Sequence, residues 1–377
     1  MISSTALGYL RLAMVSGVGP LLARRMLEYA GSIEQLWQLD SQALKKIPGI
    51  GDRLTAQLMR VADDEIKDVV AQCQTHAIAI LCPRDEAYPS LLRQVDDAPL
   101  VLFVRGDRSV LASPLLLSVV GARQASREGQ LIARRWCRYC AGQGVVIVSG
   151  MAYGIDASAH GGALESKGST IAVLGSGLLA LNSDLQQRQV EAIAKRGCVI
   201  SEYLPHVVAK PQYFPQRNRI IAAMSTVTLV VEASLKSGSL ITARLANEYG
   251  REVVAVPGSV LASSHSGCHH LIREGARLVE SADEVLQLLK LPEMAPSHRR
   301  IDHDDEEQVM MELGEDMLSN VQRVLVALQR EVLHVDQLAE ICCLTHQELS
   351  PILLDLELQG RIERMPGSRY ILGGEQE

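Results

Sequence analysis

At 377 residues the chain is longer than one ordinary core supports, which predicts two or three domains. No apolar run approaches the roughly 18 residues of a bilayer-spanning helix, and no secretory leader opens the chain. Together with eight scattered cysteines (Cys73, Cys82, Cys137, Cys140, Cys198, Cys268, Cys342 and Cys343), this predicts a cytoplasmic protein with reduced thiols and no membrane partner. The net charge of −7 read alone argues against nucleic acid, yet residues 117–280 hold 17 Lys+Arg against 11 Asp+Glu, a balance of +6 that leaves −13 for the flanks.

The first 70 residues read as a helical module with an internal echo. VSGVGPLLARRML (15–27) and IPGIGDRLTAQLM (47–59) each set a G-x-G turn ahead of an amphipathic helix, their first glycines 32 residues apart. They look like paired helix-hairpin-helix motifs, whose exposed turn N–H groups suit sequence-independent phosphate contact. A plain helical hairpin explains the glycines equally well, because Asp52, Asp63, Asp64 and Glu65 make the second copy a poor polyanion surface.

A strand at 77–83 and the apolar segment 100–107 lead into alternating strands and helices. LLLSVVGAR is followed by a helix at about 127–141, then VVIVSGMAYGID, a helix through His160, TIAVLGSG, a helix at 186–195 and CVISEY. Such β-then-α repetition predicts a parallel sheet covered on both faces. Right-handed crossovers would gather the strand ends on one edge, bringing the turns at Gly121, Ser149-Gly150 and Gly175-Ser176-Gly177 together.

The segment 214–258 adds two fully apolar strands, TVTLVVEA and VVAVPG, with a helix between them. Lys236, Ser237, Gly238 and Ser239 stand where that helix begins, so hydroxyls, free N–H groups and a helix dipole converge on an anion. Arg123 directly follows a strand, and Arg217, Asn218 and Arg219 lie between a Phe-Pro break and an apolar helix. Their guanidinium groups either fork onto phosphate oxygens or pair with a carboxylate such as Asp156 or Glu232.

Other chemistry fits less well. Gly175-Ser176-Gly177 supplies only half of a dinucleotide fingerprint, and no GxxxxGK[ST] loop exists. Cys137 and Cys140 read as buried helix thiols rather than a zinc pair. Adjacent His269 and His270 point to different helix faces, so helix capping or a hydrogen bond to ligand is favoured over metal. Asp156 and His160, four residues apart, form the one candidate acid/base pair, and a structural cap is the favoured reading.

Residues 291–317 are proline-bearing and acidic, with eight Asp+Glu and no Lys or Arg in 301–316, as in a linker. The last module carries helices at 320–329, 335–342 and 346–359, then two short strands around a Pro-Gly turn, and it resembles a winged helix. Its candidate recognition helix THQELSPILLDLELQ holds Glu348, Asp355 and Glu357 without a base, so protein contact suits it better than a duplex groove.

The motifs SVVGARQAS (118–126), VSGMAYGIDASAH (148–160), FPQRNRIIA (214–222), SGSLITARLANEYGREVVAVPG (237–258) and GCHHLIREGA (267–276) resemble the DNA-processing protein A family (DprA, also called Smf) over nearly the whole chain. The resemblance implies an α/β fold: a paired helix-hairpin-helix, SAM-like domain at 1–72, an extended Rossmann-like domain at 73–290 with a parallel sheet core, the linker at 291–317 and a winged helix at 318–377. It implies a non-catalytic, sequence-independent single-stranded DNA-binding protein that protects incoming strands in natural transformation and helps load RecA for homologous recombination. Single-strand-binding protein and a second copy of the chain are further partners; no cofactor or metal is implied. By motif position Arg123 is a DNA-contacting arginine, and the 217–219 and 237–239 segments are pocket walls.

The expected strand path runs along the strand-end edge past Gly121, Arg123, Ser149, Gly150, Tyr153, Arg217, Asn218, Arg219, Lys236, Ser237, Gly238, Ser239, Arg244 and His269. Tyr153 stands where many relatives carry a cation, and Leu179, Asn182 and Ser183 depart from the family pattern. With two Trp, nine Tyr and two Phe in the chain, extensive base stacking is not expected, so affinity rests mainly on phosphates. A sensor of small nucleotides, or a phosphoribohydrolase-like enzyme using the same crevice, is the alternative.

Overall fold

The computed structural model describes residues 2–289 except 62 and 182, and beyond them residues 324, 328, 333–341, 344, 346–358, 361–365 and 369–372. The linker at 291–317, Asn182, and the helix expected at 320–329 apart from Val324 and Leu328 lie outside the described residues. The chain divides into two compact units, Met1–Glu293 and Met294–Glu377.

The first unit opens with helices α1 (Ser4–Ala13), α2 (Pro20–Ala30), α3 (Ile33–Leu36), α4 (Ser41–Lys45), α5 (Asp52–Leu58) and α6 (Asp63–Thr75). The sequence echo is a structural one. Gly17 (φ 92°) and Gly49 (φ 98°) both take the left-handed conformation that glycine adopts without strain, two residues ahead of Gly19 and Gly51, the N-caps of α2 and α5.

A nine-stranded sheet follows: β1 (Ile78–Leu81), α7 (Ser90–Arg93), β2 (Leu102–Gly106), β3 (Leu116–Val120), α8 (Arg127–Gly142), β4 (Val146–Ser149), α9 (Ile155–Glu165), β5 (Thr170–Val173), α10 (Asp184–Ala194), β6 (Cys198–Ser201), α11 (Tyr213–Met224), β7 (Val227–Val230), α12 (Ser239–Glu248), β8 (Glu252–Ala255), α13 (Ser266–Arg273), β9 (Arg277–Leu278) and α14 (Ala282–Leu288). The strand order is β1-β2-β6-β5-β4-β3-β7-β8-β9. From β6 to β9 every pairing is parallel, while β2 runs antiparallel to both β1 and β6. The central strands β3 to β7 are buried along their full length, which is why they read as mainly aliphatic runs with only small hydroxyl residues among them.

Alternate residues of each strand serve different cores. Leu117, Val119, Ile147 and Leu229 pack with Ala133 and Cys137 of α8 and Ala159 of α9. Val120, Val148 and Val230 pack with Ile220 and Ile221 of α11 and Ala243 of α12 on the opposite face. Phe103 of β2 and Val199 of β6 belong to a third cluster with Leu10, Leu12 and Met26, so the N-terminal helices share a core with the sheet edge.

In the second unit, α15 (Val335–Ile341) and α16 (His346–Leu358) accompany a sheet of order β10-β12-β11, with β10 at Leu333–His334, β11 at Ile362–Met365 and β12 at Arg369–Leu372. Leu338, Leu349, Ile352, Leu353, Leu356 and Ile362 form its core, giving a winged-helix arrangement. Asp355 and Glu357 of α16 are exposed.

Candidate nucleic-acid interface

Strand order reverses direction between β3 and β7, where the chain leaves the β6-β5-β4-β3 half to begin the other half. The turns after these two strands diverge and leave a crevice at their carboxyl ends. It is a cleft of about 480 Å³, lined by Gly121, Ala122, Arg123, Phe214, Arg217, Asn218, Ser237, Gly238, Ser239 and Thr242, with Asp156 and Glu232 at its base.

The turn after β3 is pressed against its neighbours. Ala122 N donates to Glu232 O at 2.7 Å, and a Cβ at Gly121 would stand 2.9 Å from Ile155 Cβ and 3.0 Å from that same carbonyl. Only glycine fits there. Arg123 emerges exposed beyond it, its guanidinium 5.1 Å from the Phe214 ring centroid.

The facing wall is the N-terminus of α12. Ser237 and Ser239 hydroxyls bond each other at 2.7 Å, and Ser237 Oγ also accepts from Ser239 N at 3.4 Å, while the N-cap residue Gly238 has no side chain to add. The helix therefore presents its positive end and two hydroxyls to the cleft.

Arg217 forms the floor and is only 3 % exposed. Its Nη1 donates to Val173 O, and its Nε is buried without a partner. Gly150 makes the room, since a Cβ there would lie 2.0 Å from Arg217 Nη1. Burial, and secondarily the charge of Arg123, pull the guanidinium down to about 10, while Asp156 opposes the shift. Asp156 is itself pushed above the usual carboxylate range by burial, partly offset by Arg217 and by the N–H groups of Ala152 and Gly150.

Several expected contacts sit elsewhere. Arg219 is turned away from the crevice: Nη1 donates to Asp97 O at 2.6 Å, and the guanidinium pairs with Glu202 and with Asp97 at 3.9 Å. The expectation of a phosphate contact there is corrected, because two residues along a helix is a 200° rotation from Arg217. Ser149 is fully buried, with its hydroxyl committed to Val119 O at 2.7 Å, so it too faces no ligand. Lys236 and Arg244 are exposed outside the cleft lining, Arg244 lying 3.5 Å from Glu248. Tyr153 is 71 % exposed. His269 is half-buried, with Nε2 3.0 Å from Gly258 O, holding the loop after β8.

The acid/base reading dissolves into architecture. Asp156 accepts from Gly150 N at 3.1 Å and Ala152 N at 3.3 Å, whereas His160 Nδ1 meets Thr170 Oγ1 at 2.7 Å. Glu232 pairs with neither arginine; it takes Ser126 N at 3.1 Å and Ser126 Oγ at 2.6 Å. Thr242, Gln124, Ser234 and Ser264 are cleft residues that the sequence concealed; Thr242 lies one turn beyond Gly238 and so on the same helix side. Cys137 and Cys140 are buried with their thiols pushed up by desolvation. Among the described residues no cluster of His, Cys, Asp or Glu could hold a metal, and no helix is long and apolar enough to cross a membrane.

Comparison with known proteins gives three family matches: DNA recombination-mediator protein A over residues 79–290, the DprA winged helix domain over 318–368, and a SAM-like helix-hairpin-helix tandem over 9–64. Protein Smf of Synechocystis is 32% identical across 98% of this chain and 99% of its own length. The X-ray structure of DNA processing protein A from Streptococcus pneumoniae matches with a TM-score of 0.68 and 33% identity, covering 76% of this chain and 98% of that one. DNA processing protein A from Helicobacter pylori, in a structure described by its single-stranded DNA binding mode, matches with a TM-score of 0.51 and 28% identity over 56% of this chain and 95% of that one. The recombination-mediator match takes in the crevice and more than half of the chain, the tandem and winged-helix matches flank it, and Protein Smf is similar from end to end, so the chain belongs to the DNA recombination-mediator protein A (DprA/Smf) family.

Proposed function

We propose that this protein binds single-stranded DNA without sequence preference through the switch-point crevice, and that it does so without catalysing a reaction. The carrying observation is the convergence of exposed Arg123, buried Arg217 and the serine-bearing N-terminus of α12 on one cleft. These are two fixed charges and a dipole end, which recognise a phosphate without reading a base. Gly121, Asn218, Ser237, Gly238 and Ser239 complete the phosphate contacts; Lys236, Arg244 and Tyr153 flank the exit. Arg217, seated on Gly150, supplies charge from below.

The non-catalytic reading is supported by the commitment of Asp156, His160 and Glu232 to internal hydrogen bonds. Family membership supports the wider role in the cytoplasm, namely protecting strands during natural transformation and loading RecA, with single-strand-binding protein and a second copy of the chain as partners. Arg123→Ala should lower affinity for single strands and flatten the slope of log K against log salt by about 0.7, the value for one neutralised phosphate. Fluorescence anisotropy at several salt concentrations measures both, and unchanged affinity and slope would remove Arg123 from the site.

A second reading has one observation in its favour. A 480 Å³ cleft with a buried guanidinium also suits a mononucleotide. A melting-temperature shift with mononucleotide and none with oligonucleotide would decide for it.

A further inference from the structure

We propose that the solvent face of α8 is an outer track for the phosphodiester backbone, carrying a single strand onward from the crevice. The inference rests on the single-strand reading of that crevice. α8 starts four residues after Arg123, and its first turn is pinned to the cleft base through Ser126 and Glu232. Its buried side is Gly129, Ala133, Cys137, Cys140 and Ala141. The opposite side carries exposed Arg127, Arg135 and Arg138.

Arg127 and Arg138 are eleven residues apart, about three turns, which puts them on one line about 16 Å long. Arg135 stands beside that line. None of the three has an ion-pair partner among the described residues. The nearby carboxylates are engaged: Glu165 pairs with Arg134, its Nε–Oε1 distance 2.7 Å, and Asp283 accepts from Tyr139 Oη at 2.6 Å. Glu128 is the single acidic residue of the helix.

This distribution is unfavourable for an isolated helix. Arg127 occupies the first position, at the positive end of the dipole, where a cation is repelled and a carboxylate is ordinarily placed. Arg135 and Arg138, three residues apart, repel each other, and Glu128 is the one carboxylate of the helix set against the three exposed arginines. A polyanion laid along the face relieves both costs, and counterions released from it add to affinity. Because the line begins beside Arg123, the natural polyanion is the same strand as it leaves the cleft.

The triple variant Arg127→Gln/Arg135→Gln/Arg138→Gln tests this in the full-length protein. Binding of oligothymidylates of about six and about twenty nucleotides, one within and one beyond the usual footprint of about 4–16 nucleotides, is measured across salt. The expected result is unchanged affinity for the short oligonucleotide, a loss of about tenfold or more for the long one, and a slope for the long one lower by about 2, from ~0.7 per phosphate. The matching triple Lys variant should restore the slope. Identical binding of the long oligonucleotide by wild type and the Gln variant overturns the track while leaving the crevice intact. Failure of the wild type to bind either oligonucleotide overturns both readings. A Gln variant that loses affinity for polyglutamate but not for oligonucleotide overturns the track in favour of an acidic protein segment.

Discussion

Arg217 and Arg219 are two residues apart in one motif and meet opposite surroundings, one beneath the cleft and the other bound to Glu202 and Asp97. The cations were legible in the sequence; their sides were not. Phe214-Pro215 reads as a break, but Pro215 is the third residue of α11, where its missing N–H is not needed, so the helix already runs through the arginines and rotates them apart. His160 shows the same gap between residue type and surroundings. It is 4 % exposed, and burial together with Arg217 holds its pKa at about 3, against an ordinary value of 6.5. The native state therefore stays neutral at this site where the unfolded chain takes a proton. Its contribution to stability is fully present above about pH 6.5 and falls as pH drops toward 3, by at most ~1.4 kcal/mol per pH unit. His160→Gln, neutral throughout, should be less stable at pH 7.5 and lose less stability than wild type on going to pH 5. Urea unfolding at the two pH values gives the comparison, and equal losses would remove His160 as a source of acid sensitivity.

At the scale of elements, strand runs and helix periods in 116–255 were readable because the central strands are buried on both faces and carry mostly aliphatic residues, with only a few hydroxyls such as Ser118 and Thr228 among them. The antiparallel direction of β2 was not readable, since LFVRG carries no mark of which way its neighbours run. Nor was the junction between β7 and α8. Glu232 follows a buried strand and was weighed as a partner for arginine, yet its carboxylate holds Ser126, whose hydroxyl in turn accepts from Gly129 N at 3.0 Å. Ser126 thereby caps α8 and satisfies a buried acid at once. Ser126→Ala should cost about 1–2 kcal/mol from loss of the cap and partial exposure of Glu232 to an unsatisfied state. Chemical denaturation measures it, and a change under about 0.5 kcal/mol would show that the serine is dispensable.

For the whole molecule, the compact unit Met1–Glu293 contains both the crevice and α8, while Met294–Glu377 has its own core around Leu338, Ile352 and Leu356. A chain ending at residue 293 should unfold cooperatively and keep the single-strand affinity of the full protein to within about threefold, corresponding to ~0.6 kcal/mol. Calorimetry and anisotropy test the two halves of that statement, and abolished binding would move the principal DNA contacts to the winged helix. The winged-helix character was plain in turn chemistry. The union of the N-terminal helices with the sheet was not, because the core that joins Leu10 and Leu12 to the cluster of Phe103 and Val199 draws on distant stretches of sequence and leaves no local pattern.

That shared core has a consequence for synthesis on the ribosome. α1 to α6 are made first, but the cluster they complete includes Ala172, Val190, Ile193 and Val199, which are translated more than ninety residues later. At ~5–20 residues per second the wait is on the order of ten seconds. Throughout it the apolar faces of the earliest helices lack their final partner, and they are the segments of the nascent chain that a chaperone would be expected to hold.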